Sequence, residues 1–141
     1  MEQALHVCRA AGSRMYEGDS LWFLGRLYFL QGDYIRALTL VEGSLHISLD
    51  IKYAYWESLC LVLAGFIMHQ QGHDEAAWQY GQRAIGSVEE ETHFDIQSIA
   101  WCVLGHAAVS LCQWDEAVQA YMQSLEKQQK VELFLIKNWV N

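Results

Sequence analysis

Three glycines, Gly25, Gly65 and Gly105, stand 40 residues apart, and this interval constrains the fold more than any other feature of the chain. Three alanines, Ala37, Ala77 and Ala117, repeat the same step twelve residues later. A third series, Ala4, Ser44, Ala84 and Ser124, holds it over four copies, each followed by an aliphatic residue: Leu5, Leu45, Ile85 and Leu125. Self-similarity at a fixed period of this size marks a stack of supersecondary units. Two antiparallel helices come close only where side chains are short. Gly25 is therefore expected against Ala37 and Ser44, Gly65 against Ala77 and Ala84, and Gly105 against Ala117 and Ser124. A glycine inside a helix costs up to about 1 kcal/mol relative to alanine, so three in one register imply a packing reason.

The turns keep the same register. Gln31-Gly32-Asp33 and Gln71-Gly72-His73 occupy equivalent places, and glycine suits the left-handed stop of a helix. The third copy has Leu111-Cys112-Gln113 there and departs from the pattern. Asp33, Asp74 and Asp115 are placed to cap, or interact with the dipole of, the helix that follows. Apolar residues recur at helical spacing on both sides of the first turn: Leu21, Leu24, Leu27 and Tyr28, then Ala37, Leu38, Val41 and Leu45. Proline is absent, so nothing forces a break inside a helix. The spacing predicts helices over about 2–12, 17–31, 34–48, 52–71, 74–90, 94–111, 114–129 and 131–139. The expected fold is a single all-α domain, an α–α superhelix of three helical hairpins with half a hairpin at each end. Its divisions are a half repeat at 1–16, repeats at about 17–51, 52–92 and 93–130, and a terminal helix at 131–141.

Composition narrows the function. With 52% hydrophobic and 18% charged residues, the chain has the material for a packed core. The net charge is −8, and the nine Lys and Arg residues are scattered, so no stripe can neutralise phosphates along one face. Nucleic acid and anionic membrane surfaces are accordingly not expected as partners. The longest apolar run, Leu59–Met68, is about half of the roughly 20 residues a spanning helix needs. Met1-Glu2-Gln3-Ala4-Leu5-His6 lacks the basic head and apolar run of a signal peptide, and a cytoplasmic location is expected. Cys8, Cys60, Cys102 and Cys112 form no CxxC pair and fall within apolar helical patterns, where free cysteine behaves as a small hydrophobe.

No catalytic motif stands out. GxSxG, GxxxxGK, GxGxxG and HExxH are all missing. His69 and His73 are four apart, but Gly72 and the expected turn separate them, so they should diverge rather than share a metal. Glu91, His93 and Asp95 cluster near a helix start, where capping explains them more simply than acid–base chemistry. No cofactor, no metal and no catalytic residue is expected.

The spacing Leu21…Leu24-Gly25…Tyr28…Gly32-Asp33-Tyr34…Ala37 resembles the tetratricopeptide consensus, as does Trp101…Leu104-Gly105…Trp114-Asp115-Glu116-Ala117…Tyr121. Ala64-Gly65…Met68…Gly72 fits more loosely, with Tyr80 one residue early. The 40-residue period and the phrase Leu104-Gly105-His106-Ala107 are similar to the long repeats of large bacterial ATP-dependent transcription activators of the LuxR type, whose nucleotide- and DNA-binding modules are absent here. The resemblance implies a non-catalytic scaffold whose first helices line a concave groove for a peptide or helix of another protein. The groove would be lined by Trp22, Arg26 and Phe29, then Val62, Phe66 and His69, then Cys102, His106 and Val109. The Lys and Asn residues that clamp a terminal carboxylate in chaperone-binding members are missing from these positions. An apolar groove with one Arg and two His suits an amphipathic helix or apolar peptide. Two other readings stay open: that Trp22, Phe29 and Phe66 simply pack on neighbouring helices, and that the chain is a regulatory, effector-sensing fragment of a larger bacterial transcription regulator. The apolar tail Val131–Val140 further suggests self-association through a terminal helix.

Overall fold

The structure, a computed structural model, describes residues 2–89 and 91–140, without the side chains of residues 2, 4, 5, 7, 8, 9, 11 and 140. Six helices follow in order: α1 (Glu2–Leu30), α2 (Tyr34–Asp50), α3 (Ala54–Gln70), α4 (Asp74–Ser87), α5 (Phe94–Ser110) and α6 (Trp114–Val140). The described residues contain no strand. Each helix packs on its successor, and α3 also touches α5 and α1. The chain is thus an all-α superhelix of three hairpins, α1–α2, α3–α4 and α5–α6.

The hairpin turns share one backbone closure. Gly32 N–H donates to Phe29 O at 3.0 Å and Asp33 N–H to Tyr28 O at 2.9 Å, the paired bonds of a Schellman stop. Gly72 with His69, and His73 with Met68, repeat them at 3.0 and 2.9 Å. In the third hairpin Cys112 N–H donates to Val109 O at 3.0 Å and Gln113 N–H to Ala108 O at 2.8 Å. The copy that departs in sequence therefore keeps the geometry, with Cys112 at φ +58° where Gly32 and Gly72 sit at +82° and +81°. A side chain in that left-handed region costs roughly 1 kcal/mol. Asp33 caps α2 by accepting from Arg36 N–H at 3.3 Å, whereas Asp74 and Asp115 lie within the first turns of α4 and α6.

The small residues permit close approach, with partners only partly as expected. A Cβ on Gly25 would lie 3.2 Å from Ala37 O and 2.7 Å from Val41 Cγ2, and one on Gly65 would lie 3.6 Å from Ala77 O and 2.7 Å from Val103 Cγ1. Over Gly105 the nearest atoms are those of the Tyr121 ring. The Ser44, Ala84 and Ser124 series instead meets a fourth track seven residues before the glycines: Gly18, Ser58 and Ser98. Ser44 Oγ donates to Gly18 O at 2.8 Å, Ser58 Oγ to Ala84 O at 2.9 Å, and Ser124 Oγ to Ser98 O at 2.8 Å. These hydroxyls satisfy carbonyls across each hairpin where the helices are too close for a larger side chain.

Two expected turns are absent. The chain does not break near residues 13–16, where α1 runs on for 29 residues, nor near 130, where α6 runs on for 27. Arg14 is tied to Asp50 at 2.8 Å and Gly18 lies beneath Ile47, so packing carries the helix through a glycine-containing stretch. Gln128-Gln129-Lys130 contains only good helix formers and no stop. The half hairpins at each end are thus continuous extensions of α1 and α6. The register pair Ala4-Leu5 and the Cys8 thiol fall on side chains outside the described residues.

One core cluster centres on Ala37, Val41, Cys60, Ala64, Ile67 and Ala77, and a second on Leu61, Ala84, Ile96, Ala100 and Val103. Burial raises the Cys60 thiol to about 11, so it stays protonated and unreactive. The 88–93 connection is held by Gln97, whose amide donates to Glu89 O and Thr92 O at 3.1 and 2.5 Å. No helix of the described chain is long and apolar enough to cross a membrane.

Candidate functional site

The nine groove positions lie on α1, α3 and α5 at three places in the period: 22, 62 and 102; 26, 66 and 106; 29, 69 and 109. Because the first helices of successive hairpins run side by side, these positions form three short rows across the stack. The rows differ in what they expose.

In the first row Trp22 is half-buried, its indole N–H donating to Leu59 O at 3.3 Å and its ring 5.7 Å from Trp56. Val62 is 6% exposed and belongs to the core, so it offers no surface to a ligand. Its fully enclosed position follows from the uniformly apolar stretch of α3 around it. Cys102 is half-buried with Sγ 3.2 Å from Ser124 Oγ. This row mostly joins helices.

The middle and last rows form the more accessible surface. Arg26 is exposed, with its guanidinium 5.8 Å over the Trp22 ring. Phe29 leans on Tyr34 at 5.9 Å and packs on the core, while Val109 is exposed. Between these ends, Phe66, His69 and His106 converge. The His69 and His106 rings stack at 5.5 Å with 18° between planes, and Phe66 lies 6.1 Å from His106.

Each imidazole of the pair is anchored through Nδ1. His69 Nδ1 donates to Asp74 Oδ1 at 2.6 Å, across the turn between α3 and α4. His106 Nδ1 shares a 2.6 Å hydrogen bond with the Tyr121 hydroxyl of α6. Such bonds fix ring orientation and leave each Nε2 for another partner. Burial, and secondarily the neighbouring His69, lower the His106 pKa below its ordinary value. Tyr121 is raised, first by burial and then by Cys102. The centre of the face is therefore an aromatic, hydrogen-bonding patch, with the cation Arg26 at its edge.

Sequence reasoning placed Phe66, His69 and His106 together but missed their anchors. Asp74 was read as a helix-start acid. Tyr121 has Val41 and Gly81 at its equivalent positions, so the period carried no signal for it. His73 lies beyond the turn, at the N-cap of α4. Near the other candidate cluster, Tyr55 O–H donates to Asp95 Oδ2 at 3.3 Å and its ring lies 4.9 Å from His93. Among the described residues no three His, Cys, Asp or Glu side chains are grouped to hold a metal.

Two clefts lie apart from the nine groove positions. One of about 500 Å³ opens between α4, α5 and α6 along Trp78, Ile85, Trp101 and Leu104. Another of about 520 Å³ lies between the 91–95 segment and Val131, Phe134 and Leu135 of α6. No protein-family model matches the sequence, and no curated protein matches it significantly.

Proposed function

We propose that the protein is a non-catalytic cytoplasmic scaffold of tetratricopeptide type that holds a peptide or helix of another protein against the first-helix face. The observation that carries this reading is the convergence of Phe66, His69 and His106 on that face, anchored by Asp74 and Tyr121. Anchored rings present apolar area with little rotamer freedom left to lose, which favours binding. A partner would place an apolar side chain on Phe66 and Val109 and accept hydrogen bonds from imidazole or Arg26. Of the nine positions, Arg26, Phe66, His69, His106 and Val109 are the contact residues in this reading. Trp22, Phe29 and Cys102 support them, and Val62 is core.

The test compares wild type with Phe66→Glu/Val109→Glu in capture from host lysate, with circular dichroism establishing that the variant is folded. A protein retained by the wild type and lost from the variant supports the reading. Equal retention by both overturns it. A second reading, an effector-sensing fragment of a LuxR-type transcription regulator, rests on the 40-residue period and the phrase Leu104-Gly105-His106-Ala107. Saturable binding of a small metabolite that protects His106 from chemical modification would favour it.

A further inference from the structure

The two ends of the stack carry faces that its middle buries. Successive hairpins seat their first helix on the preceding hairpin through positions that recur with the period. In α5 these are Ile96, Ala100, Leu104 and Ala107, with exposures of 1, 0, 2 and 0%. In α3 they include Cys60, Ala64 and Ile67, at 0, 1 and 0%, and Trp56, bonded to Ser44 of α2. The same positions in α1 are Tyr16, Ser20, Leu24 and Leu27. None is covered: Tyr16, Leu24 and Leu27 are 75, 46 and 56% exposed, and Ser20 is exposed as well.

The opposite end mirrors this. Leu38 and Leu45 of α2 pack into the core between hairpins, as do Trp78 and Ile85 of α4. Their equivalents in α6, Val118 and Leu125, are 59 and 60% exposed, with Met122 between them at 64%. A solenoid normally ends on polar outer faces, and contiguous exposed apolar surface marks a contact site. Here both outer faces are neutral and built from the residue types that the internal interfaces use.

We infer that the protein stacks front to back on a second copy of itself, the α1 face of one copy seated on the α5–α6 face of the next. The internal interfaces supply the template. Within the chain, Val41 of the same hairpin fills the space over Gly25, and Val103 of the next hairpin fills that over Gly65. Over Gly105 that space is filled by Tyr121 of the same hairpin. On the incoming α1 face the equivalent of Val103 is Phe23, which is turned aside, 6.4 Å from Trp56, and does not compete for the slot.

The extensions fit the same arrangement. Residues 2–13 of α1 run on past the Arg14–Asp50 pair, and residues 131–140 of α6 run on past the Lys130–Phe94 contact. Both overhang the end of the hairpins where second helices finish and first helices begin. Front-to-back stacking lays them alongside each other and covers Leu133, Phe134 and Ile136, now 66, 63 and 60% exposed. Because the contact joins two different faces, each copy keeps one face free, and association proceeds past the dimer.

Sedimentation velocity over a concentration series tests this, using two end-blocked variants checked by circular dichroism. The wild type is expected to rise from its 16.2 kDa monomer through dimer to larger species. Leu24→Glu/Leu27→Glu and Val118→Glu/Leu125→Glu should each remain monomeric alone, and their equimolar mixture should give a dimer and stop there. A wild type that stays monomeric overturns the inference, as does a blocked variant that still dimerises alone or a mixture that forms nothing. None of the substituted residues lies among the groove contacts, so this outcome is independent of what the first-helix face binds.

Discussion

The imidazole of His69 stacks on that of His106 across α3 and α5, 5.5 Å apart and within 18° of parallel. Two rings held this close interact well while neutral and repel when both carry a proton. His106 is the member whose proton is held less tightly in the folded chain than in the unfolded one, through burial first and His69 second. Between the unfolded value near 6.5 and the lower folded value, acidification loads the unfolded state with more protons, and stability falls. Below the folded value this group costs nothing further. Urea midpoints at pH 7.5 and 5.5 should therefore differ, the acidic one being lower. The difference should shrink in His106→Gln, while a gap of unchanged size would show that other groups carry it.

Ser44 accepts from the Trp56 indole at 3.1 Å and donates to Gly18 O at 2.8 Å, with Cys60 Sγ at 3.3 Å. Ser44→Ala strands the half-buried indole N–H and a carbonyl at a tight crossing. The expected loss is about 1–3 kcal/mol by urea unfolding. At the equivalent position the chain carries Ala84, and Ser58 supplies the hydroxyl from the facing helix. Ser58→Ala should accordingly cost about as much as Ser44→Ala.

Glycines in one helical setting should respond oppositely to alanine. At Gly65 the new Cβ would meet Val103 Cγ1 at 2.7 Å, in a core that cannot give way cheaply. Overpacking of that kind destabilises by about 1–3 kcal/mol. At Gly12 nothing lies within 4 Å, so Gly12→Ala should recover helix propensity and stabilise by up to about 1 kcal/mol. Thermal midpoints of the two variants should lie on either side of the wild type.

Cys112 holds a left-handed conformation that glycine takes freely in the other two hairpin turns. Cys112→Gly should raise stability by roughly 1 kcal/mol, less the larger backbone entropy of glycine in the unfolded chain. Gly32→Ala should lower it by a similar amount. Equal stability of Cys112→Gly and wild type would mean that the two contributions cancel.

The hairpins were legible because small residues at helix crossings leave a trace in the sequence that apolar residues alone do not. Gly25 and Ala37 were paired correctly. Ser44 was assigned to the wrong partner, because its hydroxyl reaches a carbonyl at Gly18, and backbone acceptors have no residue signature. The continuous α1 was not legible for a related reason. A break was expected over residues 13–16, yet the Arg14–Asp50 pair and the Gly18–Ile47 contact that carry the helix through come from a helix more than 25 residues away. On the candidate face, His69 and His106 could be placed by the period, but the bond from Tyr121 to His106 could not, since Val41 and Gly81 stand at its place in the other hairpins.

The stack has its deepest burial in the middle, where α3 contributes nine buried residues, among them Leu61, Ala64 and Ile67. In a one-dimensional array each unit is steadied by its neighbours, so the terminal hairpins open first and the central one last. Amide exchange would then be slowest in α3 and fastest toward the outer ends of α1 and α6. His69 rides on the slow-exchanging segment, whereas Leu24 and Leu125 ride on the quick ones. Gentle warming would thus strip the molecule of its capacity to polymerise while the buried residues of α3 are still in place.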